Sequence, residues 1–134
     1  MSSIARLIGE IMGWGRKRKS ELTDEGEERT VLGPNQVEIE TFRMPSSGSL
    51  SLKLDSVNDA LLNFIILDDR NLTYLQAGQG DYAPVVESGM TTEEHLDVDL
   101  PEGDWHLVIY NEDQREQAIL FMEWKLDCTS ALGV

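Results

Sequence analysis

The soft-ligand and nucleophile chemistry of this 134-residue sequence rests on three side chains, His95, His106 and Cys128. Imidazole and thiolate hold zinc or activate a nucleophile when several converge at recognisable spacing. These three match no such spacing, so the expectation is two structural histidines and an inert small thiol. Carboxylates are far more plentiful, with 25 Asp and Glu. Asp68 with Asp69, Asp97 with Asp99, and Glu102 with Asp104 could meet at one end of a fold and offer oxygens to Ca²⁺, which takes about six to eight. Acids this abundant form such groups by chance, and a solvated surface is the plainer expectation. Nothing marks one carboxylate pair as buried for glycoside hydrolysis either. No catalytic constellation, metal or cofactor is expected, and the chain reads as a non-enzyme.

The elements that carry these residues have a period of two. Leu50, Leu52 and Leu54 alternate with Ser49, Ser51, Lys53 and Asp55, following the turn-forming Pro45–Gly48, which is a strand with one apolar face. Gln36–Arg43 alternates through Val37, Ile39 and Thr41, and His95–Leu100 through Leu96, Val98 and Leu100. Leu61–Leu67 is apolar except for Asn63 and reads as a central strand closing on Asp68–Asn71. Pro101–Asp104 turns into Trp105–Tyr110, and Ala118–Leu126 reads as the last strand. Residues 71–89 are expected to form a long loop with one short edge strand, whose Tyr74, Tyr82 and Pro84 offer a contact surface. The sum is an all-β antiparallel sandwich of about seven or eight strands. Internal repeats are absent, so the sandwich is one unit.

Charge divides the chain. Arg6, Arg16, Lys17, Arg18 and Lys19 against Glu10 give residues 1–20 a formal +4, while residues 21–134 carry −18. Ile4, Leu7, Ile8, Ile11 and Met12 recur at helical spacing behind a capping Ser2 or Ser3; this is a short amphipathic helix. Trp14 and the bases Arg16, Lys17, Arg18 and Lys19 follow. Such an arm can lie in a membrane interface with its bases on anionic headgroups, or dock on a protein partner. Its stripe can instead pack on the chain's own body. Contact with nucleic acid phosphates is a weaker alternative, because four bases make a small footprint and the acidic body repels a polyanion. The divisions expected are an arm over 1–20, a charged linker over 21–29 and a sandwich over 30–134.

With 40% hydrophobic residues the body is too apolar for a disordered acidic tail, so its charge sits on a folded surface. Acidity of this degree suits a halophilic source, where salt screens the self-repulsion. One cysteine excludes an internal disulfide framework. The arm lacks the order of a signal peptide, since most of its positive charge follows the apolar stretch. No apolar run approaches the ~20 residues of a membrane crossing.

The stretch Leu100-Pro101-Glu102-Gly103-Asp104-Trp105-His106-Leu107-Val108-Ile109-Tyr110-Asn111 resembles the late hairpin of GOLD-like (emp24-type) β-sandwich domains, and Phe64–Asp69 resembles their hydrophobic strand closing on an acidic turn. The resemblance implies a sandwich that binds a protein or membrane-associated partner. The emp24 membrane span, coiled coil and cysteine pair have no counterpart here. The fold expected is thus a jelly-roll or GOLD-like sandwich. Its layout, a sandwich with a basic amphipathic arm, is also that of icosahedral capsid subunits. Three functions follow: a structural or assembly protein, in its sharpest form a virion capsid or envelope component of a salt-loving host; a GOLD-like binding module tethered to a membrane; and, least expected, an enzyme. The partners expected are protein subunits in a homo- or hetero-oligomer and an anionic membrane surface, with the protein in a virion or peripheral to a membrane.

Overall fold

A strand whose alternate side chains are apolar must lay that face on a second layer. The computed structural model, which describes residues 18–21, 25–78, 82–113 and 115–128, satisfies this with two stacked sheets. The strands are β1 (Arg18–Glu21), β2 (Glu25–Leu32), β3 (Val37–Met44), β4 (Gly48–Ser56), β5 (Leu62–Asp68), β6 (Val86–Glu87), β7 (Glu93–Leu100), β8 (Gly103–Asn111) and β9 (Ala118–Asp127), with helix α1 (Asp69–Gln76) between β5 and β6.

One sheet has the order β1-β3-β8-β5-β6 and the other β2-β9-β4-β7. Leave β1 aside, and the second strand pairs with the last, the third with the one before it, and so inward to β5 with β6. All of these pairings are antiparallel. This is a long hairpin rolled over on itself into two sheets, the winding of a jelly roll. β1 adds to the edge of β3 in parallel, with Arg18 opposite Glu38.

The main core lies between the sheets. Phe42 and Met44 of β3, Leu50, Leu52 and Leu54 of β4, Phe64 and Ile66 of β5, Leu107 and Ile109 of β8 and Leu120 and Met122 of β9 are all buried there. A second core lies on the other side of the five-stranded sheet, where α1 covers Val37, Ile39, Ile65, Leu67, Val108 and Tyr110 with Leu72 and Leu75. Both faces of β3, β5 and β8 are therefore covered. Asp68 caps α1 by accepting the Asn71 N–H at 2.9 Å, satisfying one of the amides that a helix start leaves over. Asn71 in turn accepts the Ala83 N–H at 2.7 Å and ties the returning chain to the helix.

Two glycines are fixed by close approach. A Cβ on Gly48 would stand 2.2 Å from the Asp127 carbonyl oxygen, and one on Gly26 would stand 2.8 Å from the Trp124 ring.

Two expectations change. Residues 71–89, expected to be loop with a short edge strand, contain that strand as β6 but open within α1; its apolar pair Leu72 and Leu75 is too short a signal to display a period. Residues 21–29, expected to be linker, include the end of β1 and much of β2. β2 escapes the alternation test because its inward positions are Gly26, Glu28 and Thr30 before Leu32. Residues 1–17, with the amphipathic stripe and Trp14, lie outside the described residues. Among the described residues no helix is long and apolar enough to cross a membrane.

Candidate functional site

The two sheets differ in what lies on their outer faces. Helix α1 covers the five-stranded sheet, whereas the four-stranded sheet presents β2, β9, β4 and β7 outward. Strand register arranges that face in rows. Glu27, Glu123, Lys53 and His95 form one row, and Glu25, Lys125, Ser51 and Asp97 the next. Arg29, Phe121, Asp55 and Glu93 form another, and Asp127, Ser49 and Asp99 a fourth. Eight carboxylates thus stand among three bases, a field that self-repels and attracts cationic groups.

Three shallow clefts follow the same sheet. One of about 540 Å³ is lined by Ser47, Gly48, Ser49, Asp99, Leu100, Pro101 and Asp127. One of about 480 Å³ lies among Lys53, Asp55, Glu93 and His95, and one of about 310 Å³ among Ser51, His95, Glu123, Trp124 and Lys125. Hydroxyls, carboxylates and one imidazole line them, which suits polar contacts. β7 is the edge of this sheet, paired among the described residues with β4.

Apolar exposure gathers at one end of the sandwich. Val31, Val57, Leu61 and Met90 are 43–61% exposed, although they come from three separate segments; Val85, also exposed, lies apart from them beside Ile66. Val31 pairs with Ile119, whose carbonyl accepts the Val57 N–H at 2.7 Å. The Leu61 carbonyl accepts from Glu112, and Met90 precedes Thr91, which bridges Leu62. These four sit where β2 turns into β3, β4 into β5 and β6 into β7.

Three polar groupings with buried members also stand out among the described residues. His106 is held between Thr41, whose Oγ1 lies 3.1 Å from Nδ1, and Asp69 at Nε2. Hydroxyl, imidazole and carboxylate in that order are the parts of a nucleophile relay. Here they join β3, β8 and the start of α1, so His106 is a satisfied structural histidine. Near the β1 edge, carboxylate oxygens of Glu28, Glu38 and Glu40 lie within 4.8 Å of one another. Glu38 and Glu40 are fully buried, pointing inward with Phe42 and Met44. Such a grouping suits a hard cation by donor type, but falls short of the six or more oxygens that calcium takes. Where the start of β5 meets the end of β8, Glu112 accepts from Asn63 Nδ2 at 2.5 Å. Burial holds its carboxyl above the usual glutamate range, and burial first, then Glu112, raises the Tyr110 phenol.

The residues singled out in the sequence scatter among these features. Ile4, Leu7, Ile8, Ile11, Met12, Trp14, Arg16 and Lys17 are outside the described residues, while Arg18 and Lys19 belong to β1. Tyr82 is buried, its hydroxyl donating to Glu87 at 2.5 Å, and Tyr74 packs on the second core and accepts from Arg70 Nε at 3.0 Å. Tyr82 is therefore core rather than contact surface, because the segment must cover the outer apolar face of β5. Pro84 is half-buried beside it. The acid pairs do not converge. Asp68 caps a helix, Asp69 holds His106, Asp104 pairs with Arg43 at 3.0 Å, and Asp97 and Asp99 face outward on β7. Cys128 is half-buried, its thiol 3.5 Å from the Ser46 carbonyl. Glu38 and Glu40 were missed, because their alternation partners Val37 and Ile39 gave the strand an apolar face of its own.

No family model and no curated protein matches the chain. Solved structures do resemble it. A periplasmic inhibitor of g-type lysozyme from Aeromonas hydrophila superposes with a TM-score of 0.62 at 10% identity, over 84% of this chain and 98% of that one. The pre-peptidase C-terminal domain of a Bacillus anthracis collagenase gives 0.61 at 9% identity, over 81% and 94%. The Yersinia pseudotuberculosis-derived mitogen gives 0.54 at 12%, over 80% and 89%. The likeness is one of fold: a β-sandwich shared with proteins of unlike sequence.

Proposed function

We propose that this protein is a non-enzymatic structural or assembly subunit acting through protein contacts, and in its sharpest form a shell component of a virion from a salt-loving host. The observation that carries the reading is the asymmetry of the sandwich. One sheet is closed by its own helix, and among the described residues the other is left open, with a full-length edge strand and an acidic outer face. The jelly roll is a common capsid winding, and a basic arm preceding it completes the subunit layout. Fold alone does not establish a role; the open face is what a neighbour would cover. Eight carboxylates repel a second copy at low salt, and at ~1 M salt the Debye length falls to ~3 Å, which removes that barrier. Sedimentation at low salt and at about 1 M and above tests the reading. Closed oligomers that form only in high salt are the expected result, and a monomer at every salt and protein concentration refutes it.

The clefts among Ser49, Asp99, Lys53 and His95 favour a second reading, a binding module for a protein or polar ligand tethered to a membrane by its arm. Its test is specific loss of partner capture on Asp99→Asn with sedimentation unchanged.

A further inference from the structure

The edge of β7 has a definite hydrogen-bonding phase. In an antiparallel pair, residues that exchange backbone bonds alternate with residues whose N–H and C=O point to the other side. Ser56 lies opposite Thr92 when the β4–β7 register is continued, and its N–H donates to the Thr92 carbonyl at 2.7 Å. The bonds between these strands therefore run through Leu54 with Glu94, Leu52 with Leu96 and Leu50 with Val98. The β9 side of β4 agrees, because Val57, in phase with Lys53 and Asp55, donates to the Ile119 carbonyl at 2.7 Å. The backbone groups of Glu93, His95, Asp97 and Asp99 thus point away from β4, to a side where no strand pairs with β7 among the described residues. The Thr91 hydroxyl closes the first of them, donating to the Glu93 carbonyl at 2.7 Å and accepting its N–H at 3.3 Å. His95, Asp97 and Asp99 each keep a donor and an acceptor aimed outward.

The core is thin along the same margin. Leu96 and Val98 face inward from β7 but are only partly buried, as is Val86 of the two-residue β6. Their partners across the ladder, Leu52 and Leu50, are fully buried. One more strand beside β7 would cover Leu96 and Val98 and satisfy the outward backbone groups. We propose that the β7 edge takes an extended segment of a basic partner protein as an added antiparallel strand.

Charge selects the partner. Side chains directly opposite each other in an antiparallel pair share a face. Residues bonded to His95, Asp97 and Asp99 therefore present their side chains on the acidic outer face, and the residues between them lie over Leu96 and Val98. Lysine or arginine alternating with valine or isoleucine meets both requirements. A second copy does not, because β7 against β7 sets the acids of that row opposite one another, and like charges so placed destabilise a sheet; the edge is guarded against itself. Glu94 points inward at the other end of the strand, which confines the added strand to His95–Asp99. The inference goes beyond the assembly reading, which concerns the outer face of the sheet in high salt, and strand addition does not require closed oligomers.

The test titrates the full chain at low salt into a fluorescently labelled synthetic peptide that alternates lysine with valine. Binding should add hydrogen-exchange protection at the His95, Asp97 and Asp99 amides, whereas the Leu96 and Val98 amides, bonded to β4, are already slow without peptide. Methylating the peptide's lysine amides, which face β7 in the added strand, should weaken binding at least roughly tenfold. Methylating its valine amides, which face solvent, should leave binding nearly unchanged. Asp97→Asn with Asp99→Asn should weaken binding by roughly two- to thirtyfold. Absence of binding, equal loss from either methylation, or equal binding of a peptide alternating glutamate with valine overturns the proposal. So does new protection on β2 instead of β7. Protection of the same three amides that rises with protein concentration, without peptide, gives the edge to a second copy and overturns it as well. High-salt oligomers without peptide binding would defeat strand addition alone, and peptide binding by a chain that stays monomeric at every salt would defeat the assembly reading alone.

Discussion

The Asn111 side-chain amide donates to the Leu32 carbonyl at 3.2 Å, joining the last residue of β8 to the last residue of β2 across the two sheets. The same amide serves Gly33 and Glu116 carbonyls, each at 3.0 Å, and its oxygen accepts the Asp113 N–H at 3.0 Å. Two N–H groups shared over three carbonyls in a fully buried setting make Asn111 the point where the β2–β3 and β8–β9 turns are fastened. Asn111→Ala strands those acceptors and should cost about 2–4 kcal/mol. Urea denaturation should show the midpoint falling with an unchanged slope; a loss below ~1 kcal/mol would mean that water replaces the amide.

Glu112, the next residue, gives a pH signature. Burial raises its carboxyl pKa in the folded chain, so the folded state holds the proton more tightly than the unfolded state. That contribution to stability is full below the ordinary glutamate value and is lost as pH rises through the folded value. Glu112→Gln keeps an acceptor for Asn63 Nδ2 and removes the charge. Its Tm should exceed that of the parent at pH 7, and the gap should close near about pH 4. Asp113 moves the opposite way, held low by the N–H groups of Arg115 and Glu116. Its contribution is present above the ordinary aspartate value and lost as pH falls through the folded value.

On the open face, Glu27 and Glu123 stand directly opposite each other across β2 and β9. Like charges so placed destabilise a sheet. Glu27→Lys should raise stability by about 0.5–1 kcal/mol at low salt, with the gain fading by ~1 M as screening shortens. Thermal melts across a salt series would reveal it, and a gain that persists at high salt would mean that charge is not its source.

Gly48 opens β4 where the end of β9 passes closely. Gly48→Ala places a methyl 2.2 Å from the Asp127 carbonyl oxygen and 2.9 Å from the Cys128 Cα. Neither is the tip of a flexible side chain, so β9 must shift. An overpacking cost of about 1–3 kcal/mol is expected, with faster hydrogen exchange at the Ser49–Asp127 end of the β4–β9 ladder than in its middle.

The strands whose inward face is legible from the sequence are those with one wet face. β4 and β7 alternate cleanly because the four-stranded sheet is open outward. β3 is legible as a strand but not in its facing: Val37 and Ile39 meet the helix, while the inward side begins with Glu38 and Glu40. A strand covered on both sides has no unique apolar face to read. β2 was hidden by Gly26, whose lack of a side chain makes room for the Trp124 ring contributed by a strand nearly one hundred positions later in the chain. Helix α1 was hidden because Asp68 and Asp69 read equally well as a turn. The open face and apolar end were not legible at all, since both are assembled by strand order, and alternation carries none.

The rolled winding also dictates when the molecule can exist. β9, the final described strand, lies inside its sheet, with β2 on one side and β4 on the other. Until Ala118–Asp127 has been synthesised, β2 and the β4–β7 pair have nothing between them, and the main core lacks one wall. The earlier strands must wait as an incomplete hairpin with long-range closures still to make, the regime of slow folding and exposed edges. This is therefore a protein that a ribosome cannot hand over in finished pieces: loss of the last strand removes the centre of the four-stranded sheet rather than its margin.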